Sequence, residues 1–263
     1  MPPLIVSDSN ADEQVRLHLH RLRGKTLYGS AGCFKRKIPY GKIPGVKPAS
    51  FIFPRIPREK WADLIRQRQG TFLGDLTRPV LPPHDQGQTN YCWAHGSTRA
   101  VEALRVYEGQ LPLILSAESV AVPLTNGKNR GGTPDEALEQ LRKYGACKQD
   151  YWPLNDLNIK HAKEGWDDDR LDHQVIAWAD VENFDDQMTL ALHRIPVAIG
   201  LGWWGHLVCQ LDPILFPDGT FGLGCDNSWG TDYGENGYFI LTEPRGTADL
   251  GAFAPISETF SPA

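Results

Sequence analysis

The chain changes its apolar period partway along, and that change limits its architecture more than any other feature. Up to about residue 194 the apolar residues recur at helical spacing; beyond Pro196 they fall in short Val/Ile/Leu-rich runs separated by turn residues. The strongest helix follows Asn90, a good N-cap, with Trp93, Ala100, Leu104 and Tyr107 on one face, Val101 beside them and Gly109 as its stop. Ser116 caps a short helix. Thr133 and Glu136 form a capping box with Pro134 at the first helical position, and Gly145 ends that helix. Weaker helical patterns cover Asp12–Lys25, Arg58–Gln69 (apolar stripe Trp61, Leu64, Ile65) and Asp186–Arg194. Between the first two, prolines at 39, 44, 48, 54 and 57 exclude continuous helix or central strand and predict an extended crossing segment. Strands are expected at Val197–Leu201, Leu207–Leu211, Gly222–Cys225 and Tyr238–Leu241, with a hairpin turn at 217–219. Helices first and antiparallel strands later make an α+β protein of two lobes.

Composition narrows the partners. The net charge of −5 gives no electrostatic footprint for nucleic acid. No window approaches eighteen consecutive apolar residues, so no membrane helix is expected. The polar N-terminus lacks a basic start and an apolar run, which reads as no secretory signal and a cytoplasmic location. The five cysteines, Cys33, Cys92, Cys147, Cys209 and Cys225, are widely spaced with no CxxC pair, against a zinc ribbon and in favour of a reducing compartment. His18 and His20 do not share a helical face, so no metal site is assigned there, and no cofactor is implied anywhere.

Cys92 is the cysteine with a chemical setting. It lies in the first turn of the strongest helix, where the positive end of the dipole favours thiolate over thiol. A thiolate there would attack a carbonyl carbon. The resulting oxyanion would need donors, for which the Cys92 backbone N–H and the side-chain amide of Gln86 are candidates.

The segment Gln86-Gly87-Gln88-Thr89-Asn90-Tyr91-Cys92-Trp93-Ala94 resembles the nucleophile segment of papain-like cysteine proteases. Further matches follow in order: Leu115-Ser116 before a helix, Gly131-Gly132-Thr133-Pro134, Gly205-His206-Leu207-Val208, and Asn227-Ser228-Trp229-Gly230-Thr231 running on to Gly234-Glu235-Asn236-Gly237-Tyr238. The resemblance covers about residues 78–253. It implies the papain-like two-lobe fold, a helical lobe followed by an antiparallel β lobe, with the active-site cleft between them. It further implies Cys92 as nucleophile, His206 as its base, Asn227 orienting that base, Gln86 as oxyanion donor and Trp229 covering the His–Asn bond. Gly131 and Gly132 would pair with substrate backbone, and Thr133, Pro134 and Trp204 would line a pocket. The substrate would be a peptide or protein. An acyl-transfer enzyme such as a ligase or amidase, or a non-catalytic binding protein, would use the same fold.

The departures from the family are specific. Thr89 and Asn129 replace two cysteines that bond to each other in relatives, so no disulfide is expected beside the site. The loop between Pro196 and His206 is trimmed, leaving Gly202-Trp203-Trp204-Gly205, whose tryptophans wall the cleft or close the shortened lobe. His95 stands where the family has an apolar aromatic and reads as a buried, satisfied histidine. Residues 1–76 form an N-terminal extension to a catalytic domain at 77–263. The extension is either a removable, propeptide-like inhibitor, with the proline-rich strand in the cleft, or a permanent arm packing Trp61, Leu64 and Phe72. The missing Gly/Ser-rich linker before Asp75 favours the arm.

Overall fold

The computed structural model describes residues 3–23 and 32–256, without the side chains of residues 18–23. The side chains of His18 and His20, and the end of the helix expected to reach Lys25, therefore lie outside the described residues. The strands are β1 (Leu4–Val6), β2 (Lys47–Pro48), β3 (Trp178–Val181), β4 (Val197–Leu201), β5 (His206–Leu215), β6 (Phe221–Asp226), β7 (Tyr238–Thr242) and β8 (Gly251–Pro255). The helices are α1 (Ala11–Arg23), α2 (Ala49–Ile52), α3 (Arg58–Gln67), α4 (Leu73–Thr77), α5 (Cys92–Tyr107), α6 (Ala117–Thr125), α7 (Pro134–Lys143), α8 (Trp166–Asp169), α9 (Phe184–Leu192) and α10 (Glu243–Gly246). None of them is long and apolar enough to cross a membrane.

All eight strands form one sheet in the order β1-β7-β6-β5-β4-β8-β3-β2. The pairings from β7 through to β3 are antiparallel, while β1 and β2 add in parallel at the two edges. Both edge strands come from the N-terminal extension. Pro48 in β2 is placed where a residue without an N–H is tolerated, on an edge. Two apolar cores result. One gathers α5, α6 and α7 against one face of the sheet, with Ala198, Leu207, Cys209 and Phe253; the other packs α3 and α9 against the opposite face, with Val197, Ile199, Val208 and Ala252. Trp61 of α3 is fully buried in the second core, its indole N–H donating to the Ile56 carbonyl at 2.8 Å and its ring edge-on to Phe221.

The caps at Ser116 and Thr133 form as the sequence requires: Ser116 Oγ accepts from the Ser119 N–H, and Thr133 and Glu136 exchange hydrogen bonds. At α5 the cap differs from expectation. Tyr91 occupies that position with no side-chain cap. Asn90 is drawn sideways, its N–H donating to Asn129 Oδ1 at 2.7 Å, while Asn129 Nδ2 donates to the Gln88 carbonyl at 3.0 Å. These bonds join the segments of Thr89 and Asn129, between which no disulfide is expected. All five cysteines are buried thiols.

Candidate active site

Helix α5 is more than amphipathic: every residue from Cys92 to Leu104 is buried, since the helix packs on the helical core and on the sheet at once. Gly96, one turn beyond Cys92, permits this. A Cβ there would strike Leu207 and lie 3.2 Å from its carbonyl oxygen, so any larger residue would push α5 off β5. The close approach sets Cys92 against the start of β5. That strand begins at His206 because β4 and β5 are joined by a tight turn. Leu201 pairs with His206, and Gly205, at φ +62°, donates its N–H to the Leu201 carbonyl.

His206 Nε2 meets Asn227 Oδ1 at 2.8 Å, with both residues buried. The Asn227 oxygen can only accept, so the proton of that bond is on His206 Nε2, which leaves Nδ1 as the nitrogen to exchange a proton with a thiol. The same oxygen accepts from the Ser228 N–H. Trp229 lies with its ring centroid 5.0 Å from that of His206 and is 2 % exposed, shielding the bond from water. Trp204 also turns inward. Its ring is 4.8 Å from His206 and edge-on to Trp229, and its N–H reaches the Gln14 carbonyl. At 4 % exposure it packs beside His206 in the shortened lobe, between Trp229 and Phe239.

Gln86 is anchored at both ends of its amide. Ser228 Oγ donates to Oε1 at 2.6 Å, and Nε2 donates to the Thr89 carbonyl at 2.7 Å, which uses one of its two amide hydrogens. The backbone N–H groups of Cys92, Trp93 and Leu207 face the Cys92 sulfur and pull its pKa down, but burial outweighs them and pushes it up to about 12. The helix-start position alone predicts a lowered value. Sequence reasoning missed what covers the sulfur.

The cover is residues 32–38. Phe34 N–H donates to the Gly132 carbonyl at 2.9 Å and Gly132 N–H to the Gly32 carbonyl at 3.1 Å, a parallel bridge that spends the backbone groups expected to bind substrate. Cys33 N–H donates to the Gly205 carbonyl beside His206, and Arg36 N–H to Leu250. A Cβ on Gly32 would stand 2.7 Å from Cys92 Sγ. Two carboxylates hold the segment down. Asp180 takes two hydrogen bonds from the Arg36 guanidinium and one from the Gly41 N–H, and Asp135 accepts from the N–H groups of Lys37 and Ile38. Gly132 must be glycine for a further reason: its Cβ would point into the Trp93 indole, into the core and not toward the cleft. Thr133 uses its hydroxyl in the cap of α7, and both it and Pro134 are buried in this covered form.

No family model matches the chain. In sequence it is similar to "Cysteine protease 1" of Oryza sativa subsp. japonica, 29% identical over an alignment of 201 residues that covers 65% of this chain and 40% of that protein. It is similar to "Pro-cathepsin H" of Bos taurus as well, 25% identical over 66% of this chain and 60% of that protein. The chain thus spans about 40% to 60% of the length of these relatives. In structure it is similar to xylellain, a cysteine protease from Xylella fastidiosa, with a TM-score of 0.63 at 17% identity, covering 89% of this chain and all of that one. Its sequence relatives are papain-like cysteine proteases, and its α+β fold is theirs.

Proposed function

We propose that this homologue of the papain-like cysteine proteases is a cysteine peptidase, held in a latent form by residues 32–38. The observation that carries the first part is the His206–Asn227 bond at the start of β5, packed against the helix start that bears Cys92. In the uncovered enzyme His206 Nδ1 takes the Cys92 proton, and the thiolate attacks the substrate carbonyl carbon. The oxyanion receives the Cys92 backbone N–H and the second amide hydrogen of Gln86. His206 then protonates the leaving amine, and the C–N bond breaks to leave a thioester. Water, deprotonated by His206, attacks the thioester and releases the acid and the thiol.

The second part rests on burial of the sulfur. Beneath Gly32 the sulfur is a neutral thiol and a poor nucleophile, which explains how an extended segment survives in the cleft uncut. Residues 1–76 serve as a permanent part of the fold, because β1, β2 and Trp61 complete the sheet and the second core, and only residues 32–38 need to move.

The test is hydrolysis of a fluorogenic peptide library by the full chain carrying Gly32→Ala, whose Cβ against Cys92 Sγ loosens the cover, and by the same chain with Cys92→Ala added. Turnover lost in Cys92→Ala is expected. Turnover retained in Cys92→Ala refutes the mechanism, and products formed only with an added amine would make the chain an acyl transferase.

A further inference from the structure

Behind the site lies a set of buried ionisable side chains that the mechanism does not use. His84 Nε2 sits 2.9 Å and 3.1 Å from the two Glu102 carboxylate oxygens, and His84 Nδ1 is 3.1 Å from His95 Nδ1, the rings being edge-on. Glu102 also accepts from the Leu115 N–H at 2.7 Å and from Arg99 at 3.3 Å. Arg99 in turn pairs with Asp226, Nε to Oδ2 at 2.7 Å, and donates to the carbonyls of Leu81 and Pro82. All five side chains are at least nine-tenths buried. Burial would raise the Glu102 carboxyl, but His84 and Arg99 outweigh it and hold it below the usual range. Burial, His84 and then His206 hold His95 well below the ordinary histidine value.

The members of this network are near neighbours in sequence of Gln86, Cys92 and Asn227. His84 is two residues before Gln86, and its carbonyl accepts from the Gly230 N–H, next to Trp229. His95, Arg99 and Glu102 are on α5 behind Cys92. Asp226 immediately precedes Asn227. The loop carrying the oxyanion donor, the helix carrying the nucleophile and the strand end carrying the orienting amide are thus tied by buried hydrogen bonds, most of them to a charged group, where such bonds are strong and a missing partner is costly.

We infer that His84 and His95 are positioning residues of the catalytic centre: the chain His95–His84–Glu102–Arg99–Asp226 sets the relative placement of Gln86, Cys92 and Asn227. The inference rests on the peptidase reading for what the three residues do, but not for the coupling among them. It gives His95 a role that an apolar aromatic at this position cannot fill, since only a ring with a polar edge can continue the hydrogen-bond chain.

The experiment uses the full chain with His84→Leu, His84→Gln and His95→Phe, reading kcat and KM on a fluorogenic peptide, the rate of Cys92 alkylation by iodoacetamide, and the melting temperature. Displacement of reacting groups by about 1 Å costs up to roughly 100-fold, so His84→Leu lowers kcat by about 10- to 100-fold with KM held within about threefold. His84→Gln keeps the nitrogen that faces Glu102 and recovers most of the loss; His95→Phe, which preserves packing, lowers kcat in the same way. Unchanged kcat in His84→Leu and His95→Phe, a loss confined to KM, or a His84→Gln no better than His84→Leu overturns the inference. If His84→Leu does not fold, His84→Gln and His95→Phe decide, and wild-type kcat in both overturns it. If neither the wild-type chain nor Gly32→Ala, whose added Cβ crowds Cys92 Sγ and loosens the cover, cleaves a peptide, the peptidase reading has failed, and the network is judged on alkylation alone. The order wild type, His84→Gln, His84→Leu then supports it, and equal rates overturn it.

Discussion

Replacing Gly32 by alanine tests the covering segment with a single methyl group. The Gly32 backbone is not in the left-handed region, so alanine adds no backbone strain, and its whole effect comes from a Cβ 2.7 Å from Cys92 Sγ and 3.3 Å from the Asn90 carbonyl oxygen. Overpacking of this kind costs about 1–3 kcal/mol, which converts to a roughly 5- to 150-fold larger population of the uncovered form. A ceiling follows from the thiol. With its pKa pushed up to about 12, the covered Cys92 is almost wholly protonated at neutral pH. An exposed cysteine of pKa ~8.5 is about one-quarter thiolate at pH 8, against about one in ten thousand when covered, so full release accelerates alkylation by roughly 2,000-fold. The assay is the pseudo-first-order rate of iodoacetamide modification of Cys92 at pH 8, located by peptide mass spectrometry, in wild type and Gly32→Ala. A rise of about 5- to 150-fold is expected. A rate equal to or below that of wild type would refute the claim that residues 32–38 control access to the sulfur.

Four further outcomes follow. Gln86→Ala lowers kcat by about 10- to 1,000-fold, as loss of one oxyanion donor does, with Cys92 alkylation little changed; equal kcat would remove Gln86 from the mechanism. Trp61→Ala destabilises the full chain by about 3–5 kcal/mol in urea unfolding, because the indole is wholly buried between α3 and the sheet; a cost under about 1 kcal/mol would make the N-terminal extension dispensable to the fold. Burial raises the Asp212 carboxyl to about 6 against the pull of the Gly74 N–H and Tyr238 hydroxyl. The native state then binds more protons than the unfolded one, so this group's stabilisation is full below pH ~4 and is lost as pH rises through about 6, worth about 3 kcal/mol over that interval. Asp212→Asn removes that slope, and an unaltered pH dependence of unfolding would contradict it. Adding reductant leaves the melting temperature unchanged, since all five cysteines are buried thiols, and a large fall would reveal a disulfide.

The parts of the fold written as local signals were legible. The capping box at Thr133, the Ser116 cap, the core of α5 and the runs that became β4 to β7 each carry their own periodicity or turn chemistry. The strands β1, β2, β3 and β8 were not legible. β1 and β2 are three and two residues long, and β3 is buried at every position, so none shows an alternating face. Asn90 was misjudged as a cap because a nearby amide, Asn129, competes for it through space. In the sequence, the resemblance to papain-like segments singles out Cys92, His206, Asn227 and Gln86 as candidates. It is silent on residues 32–38, because a stretch lying in a cleft through backbone bonds needs no distinctive side chains. The same holds for His84 and Glu102: 18 positions apart, they announce nothing until the fold closes them to 2.9 Å.

The central claim is that Cys92 and His206 act as one nucleophilic unit. A thiol-directed epoxide incubated with the full chain at neutral pH, with the modified residue located by mass spectrometry, tests it most directly. Labelling at Cys92 is expected to be faster in Gly32→Ala and lost when His206→Ala is added to it. Labelling of Cys92 at the same rate with and without His206 would contradict it.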